Sequence, residues 1–287
     1  MRVSGYIRLM LNDGERVRQL DRAYRELAMS TFVFETRLTH RLSYFRTFAS
    51  PRIAGLLTHT GQMQAEPRRR AYDTGLMMYA LIEAGLESPT GRHAVARLNE
   101  MHRRWRITND DYLWVLGTFA VMSVRTIERI GWRAITEAEK QTVIDWHVEL
   151  GTRMGITDIP TDHATFDAWF TAYEARMLRR TDAGEELLRL ALEVVGSQIP
   201  RRMRRPVLAL APVLIEEPAR TALGLARPSL RARAVVAAAV KVRAVRRRRL
   251  GPPAPFFRMG EANTEYPDGW TLDDLGPRRV GARAQRR

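Results

Sequence analysis

The chain has 287 residues, 45% of them hydrophobic, which is enough for one large domain with a sizeable core. Its 47 basic and 32 acidic residues give a net charge of +15, which suits nucleic acid, an anionic membrane or an acidic substrate equally well. The absence of cysteine from the sequence excludes disulfides, iron–sulfur clusters, thiolate-ligated haem and cysteine zinc sites.

The N-terminus predicts a helix and no secretory signal. Residues 1–20 lack both an uninterrupted apolar run and a small-residue cleavage site, which predicts a cytoplasmic protein. Residues 15–30 carry apolar side chains at helical spacing. An N-terminal amphipathic helix is therefore expected.

The next segment, to residue 48, is mixed in character and rich in aromatic side chains. The aromatic residues are Phe32, Phe34, Tyr44, Phe45 and Phe48. They indicate either ordinary core packing or the wall of a ligand pocket. His40 and His59 are secondary candidates for an axial ligand, with a surface or loop position as the alternative for each.

Residues 67–84 predict a helix that starts at a proline, which suits the first helical turn. Steps of three and four residues bring four side chains onto one face: Arg70, Thr74, Met77 and Leu81. An arginine beside a threonine is unusual on such a face. The alternative is an ordinary ion pair between Arg70 and Asp73 on a solvated surface.

A helix over residues 91–105 presents one histidine toward the interior. Its apolar face carries Val95, Leu98, His102 and Trp105. A neutral imidazole in an apolar pocket is what an iron porphyrin needs as its axial ligand. A histidine satisfied within the core is the alternative. Arg106, one turn later, is placed either for a porphyrin propionate or for a surface cluster with Arg103 and Arg104.

The run from Tyr112 to Val124 has no charged residue and predicts a central buried helix. It is too short to cross a bilayer, which takes about 20 apolar residues. Gly117 within it permits close approach by another helix or by a flat porphyrin ring.

The remaining chain continues as helices. A capping box at Thr136–Glu139 starts a helix in which His147 is interpreted as structural. Further helices are expected over 166–177 and 185–195, and prolines from residue 200 onward predict short ones. The basic helix over 229–250 suits peripheral contact with an anionic membrane through residues 231–249, or a solvated face. Residues 251–281 predict an extended tail, and residues 281–287 a disordered end.

Several motif classes are missing. The sequence has no phosphate-binding glycine loop, no dinucleotide fingerprint, no HExxH pair and no alternating strand pattern. An all-α fold follows from the periodicity alone, and nucleotide, zinc and α/β chemistries are disfavoured.

Three segments together resemble the MpaB and rubber-oxygenase (latex-clearing protein) family. They are RLNEMHRRWRITNDDYLWVLGTF at 97–119, RRRAYDTG at 68–75 and FRMGEANTEYPDGWTLDDLGP at 257–277. The resemblance implies a single all-helical domain that encloses haem b and uses dioxygen to cleave carbon–carbon double bonds in polyisoprenoid or prenylated substrates. It implies a helical arm over 1–30, a haem-binding catalytic domain over 31–250 and a proline- and glycine-rich tail over 251–287.

The resemblance also assigns roles to individual residues. His102 becomes the proximal ligand of the iron, while Arg70 and Thr74 match distal positions that orient and polarise dioxygen. Asp73 stands where rubber-cleaving members have a lysine, and its carboxylate would accept or relay a proton instead.

One departure limits the reaction that can be expected. The upstream acidic base of the rubber-cleaving branch corresponds to Ala54 here. Hydroxylation or desaturation of a terpenoid, lipid or natural product is therefore as open as cleavage. The alternatives are a haem carrier or sensor, and a non-enzymatic basic protein that binds nucleic acid or anionic lipid.

Overall fold

The computed structural model describes residues 12–251 and 256–277. Over these residues the chain forms a single helical domain without strands, which confirms the predicted all-α class. The predicted disordered end, residues 281–287, lies outside them, as do residues 1–11 of the N-terminal segment. Eleven described helices have eight or more residues: α1 Asp13–Glu26, α2 Val33–Thr47, α3 Pro51–Thr60, α4 Pro67–Ala84, α5 Pro89–His102, α6 Asn109–Ile130, α7 Glu137–Arg153, α8 His163–Met177, α9 Asp182–Ser197, α10 Arg201–Leu208 and α11 Leu230–Leu250.

The helices that carry the candidate residues begin at recognisable caps. The predicted capping box of α7 is present, since the Thr136 hydroxyl accepts from Glu139 N and the Glu139 carboxylate accepts from Thr136 N. Ser88 caps α5, with a proline in its first turn. Thr108 caps α6, where its hydroxyl accepts from Asp111 N.

Helix α6 runs through the core, as its uncharged sequence predicted, and packs against α2, α7 and α8. Trp114 on this helix is completely buried. Gly117 is the point of close approach to α8, because a Cβ atom there would lie 2.5 Å from Cδ2 of Phe170. The tight contact at Gly117 is therefore one between helices.

Gly117→Ala is expected to lower the free energy of unfolding by about 1–3 kcal/mol, because the buried ring of Phe170 would have to move. Gly55→Ala in α3 is the matched control. A Cβ atom at Gly55 meets nothing within 4 Å, so alanine there should stabilise the helix by up to about 1 kcal/mol. Urea unfolding measures both changes, and equal effects would contradict the packing argument.

The mixed aromatic segment is a helix, α2, rather than an irregular stretch. Phe32, Phe45 and Phe48 are buried in the core, whereas Phe34 is exposed. Polar residues such as Thr39 and His40 are buried among them, so apolar periodicity along the segment is weak. Contacts with other helices, rather than local pattern, determine the structure of this segment.

Both ends of the described chain pack onto the helical body. Helix α1 packs on α7, where the rings of Tyr24 and Trp146 stack with centroids 4.4 Å apart. The tail, residues 256–277, buries Tyr266 and Trp270. The division of the chain at residues 30 and 250 remains a prediction.

The basic helix α11 lies on the surface and has no buried residue. It is held by arginines: Arg243 donates to Glu35 at 2.5 Å, and Arg247 donates to the Ser30 carbonyl at 2.9 Å. Its valines and alanines are thus not part of the core. Among the described helices, none combines the length and the apolar character that a membrane crossing requires.

Candidate active site

Arg70 and Thr74 lie together on α4, as their spacing predicted. The Arg70 guanidinium donates to the Thr74 hydroxyl, and that hydroxyl donates to the Arg70 carbonyl at 3.2 Å. Both residues are half-buried. The structure does not show the alternative ion pair between Arg70 and Asp73. A cation and a hydroxyl are therefore held next to each other.

Asp73 is turned toward the C-terminal tail. Its Oδ1 accepts from the Tyr266 hydroxyl at 2.5 Å, and its Oδ2 accepts from Gly276 N at 2.9 Å. Burial raises the pKa of Asp73, while the hydrogen bond from Tyr266 acts in the opposite direction. A raised pKa suits a proton donor, but both oxygens are already engaged. Asp73 therefore anchors the tail, and a role in proton relay remains a prediction.

His102 is the last residue of α5 and is half-buried. Burial, followed by the positive charge of Arg70, lowers the pKa of His102 to about 4, against a smaller opposite effect of the Leu98 carbonyl. Its Nδ1 atom is buried, and although the Leu98 carbonyl one turn earlier is near enough to influence the pKa, Nδ1 makes no hydrogen bond of normal geometry with the described residues. The ring meets Tyr112 edge-on with centroids 5.6 Å apart. His102 is thus a neutral imidazole close to Arg70.

Arg106 is exposed and has no ion pair or hydrogen bond within the described part of the chain. Arg103 and Arg104 are exposed beside it. The helix that was expected to reach Trp105 ends at His102, so Arg106 lies in a loop rather than on the face of His102. The structure does not join Arg106 to the group of Arg70, Thr74 and His102.

A cavity of about 380 Å³ lies between α2, α4 and α9. Thr74, Tyr44 and Phe119 belong to its lining, together with aromatic residues of the tail. Arg70 and His102 do not line it. Tyr44 lies near both the cavity and the site. It lines the cavity, and the charge of Arg70 lowers its pKa against the larger effect of burial, which raises that pKa to about 12.

The buried position of His40 was not predicted from the sequence. This residue is buried and lines the cavity, and neither ring nitrogen has a hydrogen-bond partner among the described residues. Its ring stacks on Tyr79 and meets Phe119 edge-on, with centroids 5.1 and 5.4 Å away. A helical assignment of residues 33–47 would have placed His40 one turn before Tyr44, on the face that lines the cavity.

The other two histidines considered from the sequence lie elsewhere. His59 is exposed, and its ring meets Trp105 edge-on at 6.0 Å. His147 is completely buried, with Nδ1 2.7 Å from the Val143 carbonyl. That hydrogen bond suits the structural role predicted for His147.

The donor chemistry of this site fits a haem group. A buried imidazole nitrogen without a partner on His102 is the type of ligand that ferrous or ferric haem takes, and the low pKa keeps the ring neutral. Arg70 and Thr74 add polar groups within electrostatic range of that ring.

Comparison with known proteins links the chain to one enzyme family. Residues 41–247 match the family described as "ER-bound oxygenase mpaB/B'/Rubber oxygenase, catalytic domain". The chain is 27% identical to ER-bound oxygenase mpaB' of Penicillium brevicompactum over 85% of its length. It is 30% identical to ER-bound oxygenase mpaB of the same organism over 54% of its length, and 26% identical to mpaB of Penicillium roqueforti (strain FM164) over 62%.

These matches span less than two thirds of the relatives, namely 62%, 44% and 65% of their lengths. A solved structure, "Structure of Latex Clearing Protein LCP in the closed state", superposes with a TM-score of 0.58 at 17% identity. The superposition covers 86% of this chain and 71% of that chain. At this identity the likeness concerns the fold.

Proposed function

We propose, because this chain belongs to the family of the ER-bound oxygenases mpaB and mpaB' and the rubber oxygenases, that it is a haem b-dependent oxygenase. Its co-substrate would be dioxygen and its substrate a hydrophobic terpenoid, prenylated or lipid-like molecule. The observation that carries the proposal is the neutral, half-buried imidazole of His102, whose buried Nδ1 has no hydrogen-bond partner among the described residues and whose ring lies near Arg70.

Each residue of the site would contribute by position and charge. When bound, haem supplies the redox chemistry of dioxygen. His102 would hold the iron, since desolvation keeps its ring unprotonated at neutral pH. The guanidinium of Arg70 and the hydroxyl of Thr74 would orient and polarise dioxygen from fixed positions. The cavity beside Thr74 would admit the apolar substrate and exclude water.

The proposal is limited to oxidation as the reaction type. Ala54 is completely buried in α3 and offers no carboxylate that would act as a base. Double-bond cleavage, hydroxylation and desaturation all remain within the proposal. Arg106, which is exposed, is kept as a candidate for a propionate contact only.

The partner that we propose is an anionic membrane, which the protein would contact peripherally through helix α11. Helix α11 exposes Val235, Val242 and Leu250 beside a net positive charge. Apolar side chains flanked by arginines are what an interfacial helix offers to anionic lipid. Relatives named as ER-bound support this proposal.

The absorption spectrum of protein expressed with haem precursor tests the ligand assignment. The wild-type protein should be coloured with a Soret band, and His102→Ala should lose or strongly shift that band because the axial nitrogen is removed. His59→Ala is the matched control, and His40→Leu tests the other buried imidazole of this region.

Two results would contradict the assignment. A coloured His102→Ala protein with the wild-type spectrum would show that His102 is not the ligand. A colourless wild-type protein whose DNA retention falls steeply with salt would instead indicate a basic binding module.

A further inference from the structure

The cavity beside Thr74 combines a basic mouth with an apolar interior. Arg37 and Arg41 lie one turn apart on α2, are exposed, and belong to its lining. Deeper in the cavity, the lining consists mainly of buried or half-buried aromatic and aliphatic side chains, including Phe45 and Phe119. No aspartate or glutamate lines the cavity.

The two exposed guanidiniums of the lining have no carboxylate partner among the described residues. Within the described residues, neither Arg37 nor Arg41 takes part in an ion pair, and Arg37 is placed over the ring of Phe256 at 5.1 Å. Both charges bear on Tyr79 in the wall, where they oppose the effect of burial on its pKa. A pair of free guanidiniums at one opening is a site for a carboxylate or phosphate.

The interior contains one polar group that points to a ligand. His40 is 94% buried, since 6% of its surface is exposed, and neither ring nitrogen has a partner among the described residues. Buried polar groups in native proteins are nearly always hydrogen-bonded, by protein, water or ligand. The unpaired nitrogens of His40 lie in the wall of this cavity.

We propose that this cavity binds an amphipathic ligand with one anionic head group, seated on Arg37 and Arg41, and an apolar chain that extends along Tyr79 and Phe119 toward Thr74. The identification of this ligand with the oxidised substrate rests on the proposed function. The binding of an anionic amphiphile does not rest on the proposed function, because it depends only on the cavity and its two arginines.

Fluorescence titration with a dansyl-labelled undecanoic acid and with its methyl ester tests the head-group selectivity. The wild-type protein should bind the acid more tightly than the ester. Arg37→Gln/Arg41→Gln should weaken binding of the acid by about tenfold or more and leave the ester unchanged, because two charge-assisted hydrogen bonds are removed. Arg231→Gln/Arg233→Gln on α11 is the control, since it lowers the net charge equally and should change neither affinity.

Gly75→Leu tests the location. Gly75 lines the cavity, and a Cβ atom there meets only Cε2 of Tyr79, at 3.9 Å, so leucine would fill the space without disturbing α4. Binding of both probes should be lost.

The proposal is overturned if the acid and the ester bind with equal affinity, or if the Arg37 and Arg41 variant behaves like its control. Unchanged binding by Gly75→Leu would overturn the location. A wild-type protein that selects the acid but shows no Soret band would support this inference while contradicting the haem oxygenase. A protein with a Soret band that binds the acid and the ester equally would support the haem oxygenase and contradict this inference.

Discussion

Glu174→Ala is expected to lower the free energy of unfolding by about 3–5 kcal/mol, the largest effect of any single substitution considered, because it leaves a buried guanidinium unpaired. Arg46 of α2 donates twice to Glu174 of α8, from Nε at 2.5 Å and from NH2 at 2.6 Å. The exposed fractions are 3% and 1%. Trp114 also donates to Glu174, at 3.1 Å. The pair therefore holds α2, α6 and α8 together.

Urea unfolding of three variants tests this prediction. Glu193→Ala, which breaks an exposed pair with Arg189, should cost less than about 1 kcal/mol. The double variant Arg46→Met/Glu174→Leu should recover most of the lost stability, since no unpaired charge remains in the core. A small cost for Glu174→Ala, or a double variant that is no better than the single one, would contradict the prediction.

Stability should fall steeply in mild acid because three histidines, His40, His147 and His102, are held in neutral form. Burial, followed by the neighbouring His147, lowers the pKa of His40 from 6.5 to about 3. Burial lowers the pKa of His147 from 6.5 to about 4, against the effect of the Val143 carbonyl. Below pH 6.5 the unfolded chain binds protons that the folded protein excludes, so stability is lost as the pH falls. The loss ends where the folded pKa values are reached.

At pH 5 each of the three histidines should cost about 2 kcal/mol, or about 6 kcal/mol together. Unfolding free energies measured from pH 7 to pH 4.5 test the slope. His40→Phe retains the stacking on Tyr79 and should reduce the slope by about 1.4 kcal/mol per pH unit, the value for one proton. His59→Gln, a substitution at an exposed position, is the control. An unchanged slope in His40→Phe would show that His40 is protonated in the folded protein.

The extent to which sequence predicts this protein depends on the range of the contacts involved. Local signals sufficed for the all-α class, the capping box at Thr136 and the pairing of Arg70 with Thr74, because each depends on residues within one turn. They also predicted that His102 faces the interior, where its Nδ1 is buried, although the residue as a whole is half-buried and its helix ends three residues earlier than expected.

Long-range contacts account for what local pattern did not predict. The hydrogen-bond donors to Asp73 are Tyr266 and Gly276, 193 and 203 positions away, so its orientation toward the tail has no signal in residues 67–84. His40 was missed because the face of α2 that carries it also buries the polar residues Thr36 and Ser43, which weakens the apolar period.

The contact between Asp73 and the tail has a genetic consequence. A premature stop codon just after residue 251 would spare all eleven described helices yet remove both hydrogen-bond donors of a buried carboxylate. That carboxylate is adjacent to Thr74 in the chain. The truncation would therefore first destabilise the helix that carries Arg70 and Thr74, because it leaves a buried carboxylate without hydrogen bonds. Stop codons between residues 252 and 265 would then disturb the candidate active site, although they lie far from it in the reading frame.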